Sequence, residues 1–481
     1  MFATMLSHIG SLLLVIIICG TALVILGSNC DSGRKIAWIL VIALLPVVGL
    51  ILYVVFGLDM RKPGHFQKKH KVFLEMFNRH TDEKTKQLLF GRHTEYKIKP
   101  EYQELARLLS KGTGTTVCED NIVEVITSGT RKFNALVEDL GNARHHIHME
   151  YFYFRQDSGS KKIKELLMKK AREGVHVRFI YENIANIDIA PHYFNEMKEA
   201  GVEVVKFTEP RFNLLRLSAQ LNYRDHRKIV VIDGNIGYTG GMNISDDYFH
   251  RWRDTHMRIT GNAVSGLQYS FMNSFVTSGG TIDGDWSPYF PEHEEFEEND
   301  RLVQIVPDEP DSQWPVLHMG AVWAAQHSKE YLYIQTPYFV PPEPLLHALQ
   351  SAALKGTDVR IMLPEKADLF YMGPANRAYY KECLEAGIKI YEKTGRFIHA
   401  KTMVSDNYLS IVGSANMDHR SLELNYEVNA YIYDETVARE NRDIFLKDLE
   451  GCREIDISEW ERRPWYSKMT QAAVNLFSPL L

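Results

Sequence analysis

Apolar positions follow two regimes along the 481-residue chain. As far as Leu58 they are almost continuous. No Asp, Glu, Lys or Arg occurs before Asp31, and the run from Ile9 to Gly27 can cross a hydrocarbon layer of about 30 Å at about 1.5 Å per residue. A second uncharged run, Ile36 to Leu58, follows the polar stretch Ser28 to Lys35. The pair predicts a two-helix transmembrane hairpin, in which neighbouring groups satisfy the carbonyl freed by Pro46. A cleavable leader fits less well, because no basic residue precedes the first run and the run is too long.

Beyond this region the pattern alternates. Asn121 to Ser128, Arg144 to Phe154, Val175 to Tyr181 and Val202 to Phe207 read as strands, with helices ahead of Gly174 and Gly201. The order recurs in Tyr331 to Phe339, a helix over Leu345 to Lys355, Asp358 to Leu363, a helix ending near Gly387, and Ile388 to Glu392. Strands alternating with helices predict α/β architecture with a largely parallel sheet covered on both faces. Between the two sets, Ser278 to Trp286 is rich in Gly and Asp, and Glu292 to Asp300 carries six acids. Such a run reads as a solvated linker. The boundaries expected are a hairpin at 1–58, a basic juxtamembrane linker at 59–115, a first α/β domain at 116–285, an acidic linker at 286–300, a second at 301–455, and an amphipathic tail at 456–481.

Charge and cysteine content narrow the class. A net charge of −6 lacks the basic excess of a dedicated nucleic-acid binder, so no nucleic-acid partner is expected. Five cysteines without C-x-x-C spacing argue against a zinc site or a disulfide scaffold and fit a reducing compartment. Arg61, Lys62, Lys68, Lys69 and Lys71 crowd behind the second apolar run, against Arg34 and Lys35 in the short loop. That bias predicts a cytoplasmic location for the large C-terminal part, with the basic cluster facing anionic headgroups.

The chemistry lies in a repeat. His226, Lys228, Asp233, Gly240, Gly241, Asn243 and Asp254 recur 173 positions on as His399, Lys401, Asp406, Gly413, Ser414, Asn416 and Glu427. Five of the seven are identical, and the other two are Gly/Ser and Asp/Glu. A repeat of this kind predicts two copies of one fold sharing one task.

His and Lys two apart in a β-rich context leave one face of a strand and can reach one ligand together. Lys, Asn and Ser suit a phosphodiester, offering cations and donors. The acid at the end of each set accepts from one imidazole nitrogen and presents the other to substrate. Two histidines on opposite sides of one phosphorus supply what in-line displacement requires, a nucleophile and a proton donor. Two lysines supply the positive charge, so no metal or other cofactor is expected. Asp233 and Asp406 stand an odd five residues beyond their lysines, on the other face of an unbroken strand, which predicts a structural role.

The signature H-x-K-x4-D followed by G-[GS]-x-N, present twice, resembles the phospholipase D superfamily. Within it, "NYRDHRKIVVIDG", "WRDTHMRITG", "QTPYFVPPEPLL", "GSANMDHRSLELNYEVNAYIYD" and the terminal "FSPLL" are similar to bacterial cardiolipin synthases. The resemblance covers essentially the whole chain. It implies two α-β-α sandwich domains packed as a pseudo-dimer, and transfer of a phosphatidyl group between two phosphatidylglycerol molecules at a membrane. It also implies a catalytic set of His226, Lys228, Asp233, His399, Lys401 and Asp406. Asn243, Ser414 and Asn416 would hold phosphate, Asp254 and Glu427 would orient the histidines, and His226 would be the nucleophile. Gly241 in place of a serine implies unequal phosphate contacts in the two halves.

Other features carry less. The H-H-x-H cluster of His145, His146 and His148 has no matching ligands at Tyr331 to Ile334, so it reads as packing before metal. The aromatic run Tyr151 to Phe154 reads as strand-end packing, and Glu382 with Glu385 as a solvated helix face. In the tail, Met469, Ala472, Ala473, Leu476 and Phe477 stand at helical spacing, as in an interfacial helix or one docked on its own domain.

Overall fold

The computed structural model describes residues 2–28, 32–57, 66–91, 95–207, 223–293, 300–310 and 312–475. The basic cluster at Arg61 and Lys62, most of the acidic run and the terminal "FSPLL" lie outside them.

Two mixed sheets carry the fold. The first contains β1 (Asn121–Ile126), β2 (His146–Tyr151), β3 (His176–Glu182), β4 (Glu203–Phe207), β5 (Lys228–Ile232) and β6 (Ile236–Gly240). A short strand β7 (Trp252–Arg253) stands apart, and β8 (His256–Gly261) completes the sheet in the order β1-β8-β6-β5-β2-β3-β4. The second half supplies β9 (Leu302–Asp308), β10 (Tyr331–Gln335), β11 (Phe339–Val340), β12 (Asp358–Pro364), β13 (Lys389–Lys393), β14 (Phe397–Ile398), β15 (Thr402–Ser405), β16 (Leu409–Gly413), β17 (Met417–Asp418), β18 (Glu427–Tyr433) and β19 (Cys452–Glu454). Its large sheet runs β19-β13-β12-β10-β15-β16-β18-β9. Apart from β19 this is the first order over again, so the repeat extends from motif to topology.

The expected positions of the strands hold, but the expected parallel sheet does not. Only β2-β3-β4 and β10-β12-β13 are parallel, and every other pairing in the two large sheets is antiparallel. The cause is a pair of tight turns. After β5 the chain reverses at Asp233 (φ 53°) and Gly234 (φ 69°), and after β15 at Asp406 (φ 52°) and Asn407 (φ 53°). Two successive positive φ values make the turn that joins antiparallel strands. Both half-motifs therefore open a hairpin instead of leading into a crossover helix.

Each sheet is faced by helices, among them Gly129–Asn142, Ser158–Arg172 and Val264–Thr277 on the first and Val316–His327, Glu343–Leu354 and Glu435–Leu449 on the second. One apolar cluster runs through both halves, joining Ile229, Val231 and Ile259 to Val412, Val428 and Ile432. The stretch 59–115, read as a linker, contains packed structure. Phe73 and Phe77, one turn apart on the helix Phe66–His80, are fully buried, as are Leu105 and Leu109 on Gln103–Thr113. Trp286, Tyr289 and Phe290, at the start of the segment read as an acidic linker, are also buried, and Trp286 stacks against Phe73 and His80.

At the N-terminus, Phe2–Leu26 is one helix, and its stretch His8–Leu26 is the only one among the described residues long and apolar enough to cross a membrane. The second apolar run is divided into Ser32–Leu44 and Pro46–Leu52, followed by a wide turn at Tyr53–Gly57. Pro46 lacks an N–H and crowds the carbonyl four residues back, which ends the first piece. Ile25, Ile42 and Tyr53 close the contact between these segments. In the tail, the helix Trp465–Asn475 packs on Met372–Ala378, with Trp460 buried and Trp465, Tyr466 and Met469 exposed.

Candidate active site

The segment before each histidine is tied to the segment before the opposite half's acid. His226 N–H donates to Tyr426 O (2.9 Å), and Tyr426 N–H to Arg224 O (2.9 Å). In the other direction β14 pairs with β7, and His399 N–H donates to Arg253 O (2.7 Å). This bridging brings the two motifs into one site.

The carboxylates consequently cross over. His226 Nδ1 lies 2.9 Å from Glu427 Oε1, and His399 Nδ1 lies 2.7 Å from Asp254 Oδ2. Each imidazole from one half is thus oriented by the acid of the other. Binding at Nδ1 leaves Nε2 for substrate. Asp254 is fixed in turn by Thr255 N–H (2.7 Å).

The lysines reach the same place. Lys228 Nζ donates to His226 O (2.6 Å), and Lys401 Nζ donates to His399 O and stands 3.0 Å from His399 Nδ1. Phe152 shows that the first set shares a face: its ring lies 4.9 Å from the His226 ring, and the Lys228 ammonium is 5.4 Å from its centroid. Trp252 plays the matching part beside His399, with ring centroids 4.7 Å apart.

Burial dominates the electrostatics. It pushes the His226 imidazole down to about 4 against the opposing pull of Glu427, and His399 falls well below its ordinary value. Lys228 drops to about 7 and Lys401 to about 8, again chiefly through loss of water, with Glu427 and Asp254 resisting. Asp254 rises to about 6 by burial, offset by Lys401. Burial acts to raise Glu427 as well, but His226, Lys228 and Ser414 together hold its carboxyl below the ordinary value. Lys401 adds to the depression of His226, and Lys228 and His226 to that of His399. The two motifs therefore form one electrostatic unit.

The remaining signature residues divide by their contacts, and Asp233 and Asp406 take the structural positions that their odd spacing predicts. Asp233 and Asp406, grouped by signature with the catalytic set, sit at the far end of their strands. Asp233 accepts from the N–H groups of Arg144, His145 and His146 (2.8, 2.8 and 2.9 Å), and Asp406 from those of Lys329, Glu330 and Tyr331 (2.8, 2.9 and 3.1 Å). Both pin the start of the neighbouring strand. Ser414, expected to hold phosphate, donates to Glu427 Oε2 and accepts from Val428 N–H (3.0 Å). It buttresses the acid that orients His226. Its counterpart Gly241 lies so close to Asp254 that a Cβ would collide with the carboxylate. The Gly/Ser difference thus accompanies the Asp/Glu difference, each position lying against the carboxylate of its own half.

The two asparagines also differ. Asn243 Oδ1 accepts from Tyr153 N–H (3.2 Å) and its amide donates to Tyr248 (3.0 Å), whose hydroxyl stands 3.4 Å from His399 Nδ1. Asn416 is buried with its Oδ1 lacking a hydrogen-bond partner, as a residue facing a ligand site would be. Tyr248, Trp252 and Lys132 were given no role by sequence, and Phe152 was read within Tyr151 to Phe154 as strand-end packing. Lys132 is buried and donates to Met242 O (2.9 Å) and Tyr151 (3.1 Å), bracing the Asn243 loop. The only hint was its place on an amphipathic helix.

The histidine cluster is internally bonded. Gln268 joins His146 Nε2 (3.2 Å) to His148 Nδ1 (2.7 Å), and Arg178 donates to His148 Nε2 (3.2 Å). Burial holds His146 at about 3, as for a neutral packing element.

Comparison with known proteins identifies the family. A family model described as "Cardiolipin synthase, PLD-like domain" matches residues 136–274 and 323–449, and one described as "Phospholipase_D-nuclease N-terminal" matches 13–57. The chain is 36% identical to the major cardiolipin synthase ClsA of Bacillus subtilis, over 98% of both chains. It is likewise 36% identical to a cardiolipin synthase of Halalkalibacterium halodurans, over 98% of this chain and 93% of that one. Among solved structures, a phosphatidylserine synthase of Haemophilus influenzae superposes with a TM-score of 0.56 at 14% identity, covering 75% of this chain and 95% of its own, which is a likeness of fold. On the family-model match and on identity over nearly the full length of its relatives, the chain belongs to the cardiolipin synthase family of phospholipase D-like proteins.

Proposed function

We propose that this protein is a membrane-anchored phosphatidyltransferase that joins two phosphatidylglycerol molecules into cardiolipin and releases glycerol. The observation that carries the reading is the crossed pair of dyads, His226 with Glu427 and His399 with Asp254, each beside a buried lysine. The two halves act as a pseudo-dimer, with one composite site at their junction.

In the first step one imidazole Nε2 attacks phosphorus as the bond to the glycerol oxygen breaks, and the other imidazole protonates that oxygen. A phosphatidyl-histidine results. The second imidazole, now neutral, takes the proton from the hydroxyl of the second phosphatidylglycerol, whose oxygen attacks phosphorus and breaks the P–N bond. Lys228, Lys401 and Asn416 stabilise the phosphoryl oxygens throughout. Asn243 shapes the His399 side through Tyr248, while Asp254 and Glu427 hold the tautomers.

The N-terminal segments form a two-helix membrane hairpin, the broken second half supported by its contact with the first. The basic residues that follow support a cytoplasmic location of the catalytic halves at the cell membrane. Exposed Leu369, Phe370, Trp465 and Tyr466 suit contact with a lipid surface, where Trp and Tyr are favoured.

The test is a product analysis of the purified full-length chain with phosphatidylglycerol vesicles. Cardiolipin with one equivalent of glycerol is expected. Phosphatidic acid without cardiolipin would replace this reading with hydrolysis.

A further inference from the structure

The two halves repeat a second contact besides the catalytic motif. Asn186 accepts from Phe154 N–H (3.0 Å) and donates to Phe152 O (2.7 Å), and Asn376 accepts from Phe339 N–H (2.9 Å) and donates to Pro337 O (3.0 Å). The interval from Phe152 to Pro337 equals that from Phe154 to Phe339, and also that from His146 to Tyr331. Each asparagine therefore clamps the chain leaving β2 or β10 to the segment that follows β3 or β12. Both amides are buried, so the two segments are held in place.

These segments lie at the mouth of the site. Strand β3 ends at Glu182, whose carboxylate accepts from Arg224 (2.8 and 2.6 Å), two residues before His226. The clamped Phe152 has its ring 4.9 Å from that of His226. In the second half Tyr338, between the clamped Pro337 and Phe339, donates to Asp368 (2.8 Å). The Asp368 carboxylate acts on Lys401 and also on Tyr153 of the first half. The two segments are thus facing lips of one opening.

Each lip turns an apolar side chain outward. Phe370 is 92% exposed and Ile187 81% exposed, the two highest values for large apolar side chains among the described residues, above every one on the N-terminal apolar helices. Leu369, beside Phe370, is exposed as well. Next to this second lip the helix Trp465–Asn475 packs on Met372–Ala378, with Val474 against the cluster of Met372 and Ala375. It docks with its polar side inward, since Gln471 is buried while Trp465, Tyr466 and Met469 are exposed. An amphipathic helix ordinarily buries its apolar stripe, so this stripe is left for a further partner.

The rest of the chain indicates which partner. The stretch His8–Leu26 is long and apolar enough to cross a membrane, and the reaction proposed above draws both substrates from a bilayer. Trp and Tyr, present on the flanking helix, are favoured where hydrocarbon meets water. Apolar tips on clamped lips enter that layer with little ordering cost.

We propose that Ile187 and Leu369–Phe370 are paired insertion tips that enter the bilayer interface on opposite sides of the mouth, flanked by Trp465, Tyr466 and Met469. The inference rests on the reaction proposed above. Seated in this way, the histidines open at headgroup depth, and each phosphatidylglycerol slides between the lips with its acyl chains still in the layer. The tips leave the chemistry itself untouched and govern access to it.

The test reads depth and turnover separately in the full-length protein. Ile187→Trp and Phe370→Trp each add one indole at a tip, and both added signals are expected to be quenched in phosphatidylglycerol vesicles brominated in the acyl chains, relative to plain vesicles. Ile187→Ser and Phe370→Ser combined should raise KM for vesicle phosphatidylglycerol by about tenfold, with kcat kept. The rise should appear both in cardiolipin formation and in exchange of radiolabelled glycerol into the lipid. With short-chain phosphatidylglycerol below its micellar concentration the same variant should match the unmodified protein. Tip indoles that brominated lipid leaves unquenched, or an unchanged KM in the double variant, overturn the proposal. So does emission that follows protein concentration instead of bromine, which assigns the tips to a second copy of the chain. Quenched tips in a protein that performs neither reaction would uphold the insertion and count against the reaction itself.

Discussion

Glu427 meets the imidazole of His226 at 2.9 Å although 201 positions separate them, and it does so from the opposite half of the molecule. Replacing it with Gln keeps size but lets the side chain present an N–H where His226 Nδ1 needs an acceptor. Turnover of Glu427→Gln is expected to fall by about 10²- to 10⁴-fold with thermal stability little changed. Asp254→Asn should behave alike through His399. Steady-state assay beside a melting curve checks both, and wild-type rates in either would remove the crossed dyads from the mechanism.

Removal of either imidazole should be more severe still. His226→Ala and His399→Ala each lose a group used in both half-reactions, so a loss of at least about 10²-fold is expected in glycerol exchange and cardiolipin formation together. A variant retaining one reaction at normal rate would contradict a shared intermediate.

The acid side of the pH profile should be unusually broad. Burial holds His226 at about 4, so its imidazole stays neutral and nucleophilic well below the usual range near 6.5. The alkaline side has the opposite sign. The imidazole that protonates the leaving glycerol oxygen must start charged, and burial depresses both histidines, so kcat/KM should decline as pH rises, with the lowered Lys228 (about 7) and Lys401 (about 8) deepening the decline. Bound phosphate favours the charged lysines, and kcat should decline later. Rates measured from pH 5 to 9 in one ionic-strength series test this ordering.

Asp233 and Asp406 each hold three backbone N–H groups. Asp233→Ala should cost about 2–4 kcal/mol of stability, since partly buried donors lose their acceptor and a side chain without polar atoms must adopt positive φ. Asp233→Asn, which retains one acceptor and tolerates that conformation, should lose less. Chemical denaturation of the two variants gives the comparison.

Carboxylate support predicts a directional asymmetry. Gly241→Ser should be damaging, because the new Cβ would strike Asp254 and displace the partner of His399. Ser414→Gly removes a donor to Glu427 and an acceptor for Val428 N–H without introducing a clash, and should lower the rate by about tenfold or less. Equal effects would argue that both positions contact phosphate directly.

The sequence made the repeat, the strand positions and the histidine–lysine pairs legible, because spacing within one element survives folding. It misjudged what depends on contact between distant segments. Alternating strands and helices suggested a parallel sheet, whereas Asp233–Gly234 and Asp406–Asn407 are hairpin turns whose signal was present in the text of the chain. Ser414 has donor chemistry that suits phosphate, and its contact with Glu427 could not be read from spacing. Which acid serves which histidine could not be read from spacing, since each acid has the same offset from its own His. Phe73, Phe77, Leu105 and Leu109 marked packed helices in a stretch whose basic character suggested a linker. Pro46 was legible as a tolerable residue, yet it divides the apolar run.

The backbone bridges from His226 to Tyr426 and from His399 to Arg253 have a consequence for biogenesis. A ribosome-bound chain that has emerged only through its first repeat owns an imidazole with no carboxylate behind it and cannot cleave the lipids around it. A complete pair of dyads therefore requires both repeats to be synthesised and docked.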